Sequence, residues 1–188
     1  MNSLKSYFEQ ELPLVDVQPL VDCFTTKKIL KKGEKLVVPG NRASFLAFIN
    51  KGAFRAFFIN NKGNEITSWF SFEGMFITDL LAYYKGTQAE QFIEAIEESE
   101  ISITQKSQLE KLYMTQPVFR EFGRKFAEKG MIMVMERMLS LQTKSAEERY
   151  RDLLYKPQFL EKIPLKYLAT YLGITDTSLS RIRKSIVL

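Results

Sequence analysis

Histidine is absent from this chain of 188 residues, and cysteine occurs once, at Cys23. Without an imidazole there is no His general base, no Ser-His or Cys-His nucleophile pair, and no His-ligated zinc or haem. A single thiol excludes an intrachain disulfide and a four-thiolate cluster, so neither a metal site nor a cofactor is expected. Cys23, next to Phe24, reads as a half-buried structural thiol. The phosphate-cradling patterns G-x-x-x-x-G-K-[ST] and G-x-G-x-x-G do not occur. Glu97, Glu98 and Glu100 are neighbours, but they read as a solvated loop or strand edge rather than paired catalytic carboxylates, and an enzyme is not expected. No apolar run approaches the ~20 residues that cross a bilayer. Met1 to Gln10 is mixed and polar, without the apolar core of a secretory signal, so the expectation is a cytoplasmic protein with no membrane partner.

What is present is an uneven charge. Residues 1–115 carry 13 Lys and Arg against 14 Asp and Glu, residues 116–143 carry 5 against 3, and residues 144–188 carry 9 against 5. The positive excess therefore lies at the C-terminal end, where a phosphate-binding face is the sharper reading of it and a solvated basic face the plainer one.

That end also holds IPLKYLATYLGITDTSLSRIRK, Ile163 to Lys184. At helical period Leu165, Leu168, Ala169 and Leu172 give one short helix an inward face, and Leu179 and Ile182 give another. Gly173 suits the left-handed corner between them, and Thr175 offers a hydroxyl cap to the second helix. A small residue at Ala169, a glycine four later and an apolar residue six beyond, at Leu179, is the helix-turn-helix pattern. It leaves Thr175, Asp176, Thr177, Ser178, Ser180, Arg181 and Lys184 facing outward, a small, polar and basic set of the kind that enters a major groove. Lys166, Arg183 and Lys184 are candidates for phosphate contacts. Double-stranded DNA is the partner this reading implies.

Before it, residues 3–23 read as one or two short helices interrupted at Pro13. From Thr25 to about Glu100 short β-prone runs alternate with glycine corners: Thr26–Leu30, Glu34–Val38, Phe45–Asn50, Gly52–Ile59, Glu65–Phe70 and Gln91–Ala95. Phe54, Phe57, Phe58, Trp69, Phe70 and Phe72 are expected as the core of a barrel or sandwich. Gln105 to Tyr113 predicts a bridging helix, and Pro117 opens a long one with an apolar stripe and no proline from Val118 to Lys156. Ser145 and Glu148 form a capping box at a hinge.

Taken in order, Gly33-Glu34, Gly40, Phe48-Ile49-Asn50-Lys51-Gly52, Arg55, Gly63-Asn64-Glu65 and Phe72-Glu73-Gly74 resemble the jelly-roll sensor domain of the Crp/Fnr family of bacterial transcription regulators. The resemblance implies an α+β chain. It comprises an N-terminal double-stranded β-helix (jelly-roll, cyclic-nucleotide-binding-like) barrel over residues 1–115, a long dimerisation helix over 116–144, and a helix-turn-helix domain over 145–188. On that reading the long helix packs against its twofold mate, with Phe119, Phe122, Phe126 and Met133 as dimer-helix residues. The same phenylalanines packing on their own barrel is the alternative.

The family's phosphate-binding cassette has a Gly-Glu near its start and an Arg-Ser or Arg-Thr near its end. Thr78-Asp79 and Ala89-Glu90 stand in those places here, so the bidentate arginine is missing and a carboxylate lies where a phosphate should. Cyclic AMP is therefore not expected to bind. Phe76, Thr78, Asp79, Tyr83, Ala89 and Glu90 form the candidate for a degenerate effector pocket, open to an uncharged or cationic small molecule or filled by its own side chains. In the second domain, the arginine that many members place on a guanine corresponds to Arg181, whereas the two other base readers fall at Asp176 and Thr177, which implies a different half-site. No wing hairpin of the usual kind is expected after the recognition helix, and Lys156 to Lys162 is short for a hairpin. The expected function is a homodimeric, sequence-specific DNA-binding transcription regulator, with RNA polymerase as a further partner by resemblance. The rival is a small-molecule or protein-interaction module whose C-terminal domain no longer binds DNA.

Overall fold

The computed structural model describes residues 3–186. Two short helices open it, α1 (Leu4–Glu11) and α2 (Gln18–Asp22). Ser3 caps α1, its hydroxyl accepting from the Ser6 N–H at 3.1 Å, and Phe8 is turned fully inward.

The strands follow as β1 (Thr26–Leu30), β2 (Lys35–Val37), β3 (Phe45–Lys51), β4 (Ala53–Ile59), β5 (Glu65–Phe72), β6 (Phe76–Ile77), β7 (Phe92–Ala95) and β8 (Ser99–Gln105), with α3 (Leu80–Lys85) between β6 and β7. They form two antiparallel four-stranded sheets, in the orders β1-β8-β3-β6 and β2-β7-β4-β5, which face one another as a jelly roll. Consecutive strands such as β3 and β4 lie in different sheets, so the chain must turn sharply between them. Gly52 makes that corner at φ +102°, and a Cβ there would sit 2.2 Å from Ser99 Oγ. Only glycine fits, for steric and for backbone reasons alike.

Two elements depart from the expectation. Residues 99–105, left out of the strand runs, form β8, which pairs with both β1 and β3. Its polar composition hid it: Ser99, Ser102 and Thr104 are buried, with Ser99 Oγ accepting from Ala53 N–H at 3.2 Å and Ser102 Oγ accepting from Asn50 at 2.8 Å. Inward hydroxyls that find partners are as acceptable in a sheet as apolar side chains. Residues Phe76–Ile77, read as the start of the cassette, add a short edge strand beside β3.

Beyond the barrel come α4 (Lys106–Thr115), a 3₁₀ turn at Pro117–Phe119, and the long α5 (Arg120–Thr143). The helical run ends at Lys144, where Ser145 and Glu148 form the expected capping box and start α6 (Ala146–Leu154). Then follow α7 (Pro157–Glu161), α8 (Leu165–Tyr171) and α9 (Asp176–Ile186). Among the described residues no strand lies beyond β8, and the place of a hairpin before the helix-turn-helix is taken by α7.

Apolar side chains collect in three clusters. One holds α1, α2 and α4 against Leu46 and Phe48 of β3, together with Phe119 and Phe122. A second fills the barrel around Leu30, Phe54, Ile93 and Ile101. The third joins Phe70, Phe72 and Ile96 of the barrel to Tyr150, Leu153, Phe159, Leu168, Ala169 and Leu179 of the C-terminal helices. At roughly 25 cal/mol per Å² of apolar surface, such a shared core holds the C-terminal helices on the sheet rather than leaving them tethered.

Candidate functional site

The helix-turn-helix forms as its residues require. Gly173 adopts φ +72°, and the N–H groups of Gly173 and Ile174 return to Thr170 O at 3.1 Å and Ala169 O at 3.0 Å, a Schellman stop to α8. Thr175 Oγ1 accepts from Ser178 N–H at 3.2 Å and so caps α9. Ala169, Leu172 and Leu179 are buried at the crossing. The opposite face of α9 is open: Asp176, Thr177, Ser180, Arg181, Arg183 and Lys184 are exposed, as are Thr175 and Lys166, and Ser178 is half-buried. None of the four cations Lys166, Arg181, Arg183 and Lys184 is in an ion pair among the described residues. Chemically, Arg181 and Lys184, three residues apart on one face, give α9 a positive edge flanked by Arg183, with small hydroxyl side chains beside it, suited to phosphates and base edges.

The residues proposed for an effector pocket do not gather in one place. Phe76 and Thr78 line a cavity of about 580 Å³ between the β4–β5–β7 sheet and α5. The Thr78 hydroxyl there is buried without a partner. Asp79 is spent locally: it caps α3, accepting from Ala82 N–H at 3.1 Å. Tyr83 sits in the first core cluster, with its phenol pushed up to about 12 by burial. Ala89 is in the barrel core, and Glu90 is exposed. The other walls of the cavity include Ile77, Ile93, Phe126, Gly130 and Met133, and its lone lysine, Lys129, is already paired with Glu11. The cavity is mostly apolar, and its one arginine, Arg137, comes from α5 rather than from the barrel.

The long helix has two faces with different uses. Phe119 and Phe122, each 1 % exposed, pack in their own barrel's cluster with Phe126 against them, and Met133 lines the cavity. These four residues, expected at a dimer contact, therefore face their own chain, because the barrel reaches the helix from that side. Exposed beside that face are Ala127, Met131, Val134, Met138 and Leu141, spaced four, three, four and three apart as in a coiled-coil seam, with Val134 also reaching the edge of the cavity.

Composition did not reveal the role of Arg55. It lies in β4 at 1 % exposure, donating to Glu65 at 2.7 Å and pairing with Glu94 at 2.6 Å, while Lys35 also pairs with Glu94. Phe57 lies 4.0 Å under its guanidinium and the Tyr167 ring of α8 3.5 Å over it. Beside it Thr67 and Thr170 share a hydrogen bond at 2.8 Å, and Lys162 reaches Glu97 at 2.6 Å. The first helix of the helix-turn-helix is thus docked on the barrel through a buried cation. The signal was there to read, since a lone arginine inside the apolar strand AFRAFFI must find a carboxylate. Cys23 is half-buried, its thiol pushed up by burial, which disfavours the reactive thiolate. Among the described residues no cluster of acids or thiols is placed to hold a metal ion, and no helix is long and apolar enough to cross a membrane.

By sequence, no protein-family model and no curated protein matches the chain. By fold it is similar to solved structures over nearly its whole length. FixK2 from Bradyrhizobium japonicum superposes with a TM-score of 0.73 at 20% identity, covering 86% of this chain and 83% of that one. A CRP/FNR-family transcriptional regulator from Thermus thermophilus gives 0.68 at 15%, covering 86% of each chain. The c-di-GMP responsive global regulator CLP from Xanthomonas campestris gives 0.67 at 13%, covering 91% of each. The fold, barrel through helix-turn-helix, is that of Crp/Fnr regulators.

Proposed function

We propose that this chain, which has the Crp/Fnr fold, is a transcription regulator of that type: a homodimer that reads a near-palindromic DNA site through α9 and does not respond to cyclic AMP. The observation that carries the reading is the exposed pair of cations Arg181 and Lys184, flanked by Arg183, on a helix whose opposite face is locked into the domain. Among the described residues no carboxylate competes for those charges, so phosphates and base edges are their natural partners. Arg181, centrally placed, is assigned to a base edge, with guanine the acceptor that best fits its fork. Thr177 and Ser180 are assigned to a thymine methyl or a phosphate oxygen, and Lys166 to a phosphate.

Dimerisation is assigned to the Ala127, Met131, Val134, Met138 and Leu141 face of α5, which is apolar and uncovered in one chain. Two α9 helices related by that axis would meet half-sites ~34 Å apart. Insensitivity to cyclic AMP follows from the cassette: with Ala89 in the core and Glu90 at the surface, the barrel side offers no cation to a phosphodiester. The effector cavity beside α5 favours an uncharged, mostly apolar molecule that can satisfy Thr78 Oγ1.

The test is selection of bound fragments from a genomic DNA pool by the wild-type protein and by Arg181→Ala, each at two salt concentrations. The expected result is a twofold-symmetric motif that loses preference at one symmetric position in the variant, at a cost of about 1–3 kcal/mol per site. Unselective recovery, indifferent to the substitution, would overturn DNA reading by α9 and leave a ligand- or protein-binding module.

A further inference from the structure

A second cavity, of about 730 Å³, opens where the barrel, α5, α6 and α8 meet. Its size is within the range of small-molecule sites. Its walls are apolar and aromatic, with Trp69, Phe72, Met75, Met133, Leu139 and Phe159 around it. Two arginines, Arg137 from α5 and Arg149 from α6, stand in that wall.

Both arginines are committed only to neutral groups. Arg137 donates to Tyr171 O and stacks on the Tyr171 ring, its guanidinium carbon 3.8 Å from the centroid. Arg149 donates to Leu172 O at 2.8 Å and to Lys144 O, and its Nε–H is buried with no acceptor. Neither has a carboxylate partner among the described residues. The acids of the wall are accounted for: Asp152 is held by Lys144 at 2.7 Å, and Glu136 is exposed at the rim. Carbonyls at the C-terminal end of α8 supply partial negative charge, but two full cations converge on it. Burial, and then the charge of Arg149, pull the pKa of Arg137 down. Arginine stays ionised regardless, so burial holds this charge at a cost that an anion would offset.

We propose that this crevice binds an amphipathic organic anion, with an apolar body against Trp69, Phe72 and Phe159 and a single carboxylate or phosphate head between Arg137 and Arg149. The crevice adjoins the cavity at Thr78 and shares Trp69, Met75, Met133 and Arg137 with it, but Arg149 stands in this wall alone and Thr78 in the other; binding there does not depend on DNA reading. A ligand there touches α5, α6 and the end of α8 together. Occupancy therefore holds the helix-turn-helix in its docked position on the barrel.

The protein carries its own reporter, because Trp69 is the single tryptophan. Trp69 emission of the full chain is titrated with decanoate, decyl phosphate and uncharged decanol, each below its micelle-forming concentration. Decanoate, decyl phosphate or both give a saturable change that persists in excess decanol, which is free to fill the cavity at Thr78 that Trp69 also lines, and the stronger of the two identifies the head group. Arg149→Gln weakens that binding about tenfold or more. Arg149→Lys, which keeps the charge but not the fork, is intermediate, and Thr78→Val, which alters only the other cavity, leaves it unchanged. Thermal unfolding of each variant without ligand separates lost binding from lost folding, and Arg137→Gln gives an independent reading should Arg149→Gln not fold. Displacement of the anion by decanol, equal binding by the Gln variants, sensitivity to Thr78→Val instead, or no saturable change with either anion would each overturn the proposal.

Discussion

Arg55 is a buried charge whose surroundings supply opposite charges. Its guanidinium is held between two carboxylates and two aromatic rings at 1 % exposure. Removing it leaves Glu94 buried, with Lys35 as its one remaining cation. Breaking one side of a buried pair costs more than the pair contributes, because the surviving charge keeps its desolvation penalty. Arg55→Ala is therefore expected to lower stability by about 3–5 kcal/mol in denaturant unfolding. Arg55→Met combined with Glu94→Leu should recover most of that loss, since similar volume returns without a buried charge. If the single variant unfolds like the wild type, the network does not hold the sheet.

At the scale of elements, α6 begins at a break in an otherwise continuous helical stretch, and Glu148 secures the break. Its carboxylate accepts from the Ser145 hydroxyl and from the Ser145 N–H, each at 2.7 Å. These bonds, the hydroxyl first and the backbone N–H second, hold its pKa below the ordinary 4.5. A depressed folded pKa means that the charged form is what folding favours. The stabilisation is complete above the unfolded-state value and is lost as pH falls through the folded one. Comparing thermal unfolding of wild type and Glu148→Gln from about pH 7 to about pH 3, the gap between them is expected to close at the acid end. A gap that stays constant with pH would assign the cap to shape rather than charge.

For the molecule as a whole, the decisive feature is a helix that is apolar on two sides. One side is covered by the chain's own barrel, and the side bearing Met131, Val134 and Met138 is not: these are 58%, 54% and 47% exposed. A second copy is the occupant that the four-three spacing favours. Met131→Glu with Val134→Glu places charge in that seam, and light scattering is expected to show the wild type as two chains and the variant as one. Since these side chains do not enter the three core clusters, the variant should retain its unfolding transition. A variant that remains two chains would move the interface elsewhere.

Much of this architecture follows from residue order alone. Glycine turns φ positive at the least cost, so Gly33, Gly40, Gly52, Gly63 and Gly74 marked the corners of the barrel. Ala169, Gly173 and Leu179 marked the helix-turn-helix, and Ser145 with Glu148 marked the start of α6, because caps and corners are decided by contacts a few residues away. The exposed set on α9 was legible for the same reason: one buried position fixes the others by the 100° step of a helix. Tertiary structure decided what depends on distant partners. It gave β8 the neighbours that accept its hydroxyls, and it turned Phe119, Phe122 and Phe126 toward the barrel rather than a second chain, a choice that periodicity cannot make between two apolar faces. It spent Asp79 on a cap and brought Tyr167 over Arg55. It also set Arg137 and Arg149, twelve positions apart, against the same end of α8, and no local rule of sequence carries that meeting, because its energy is paid by elements folded from three separate stretches of the chain.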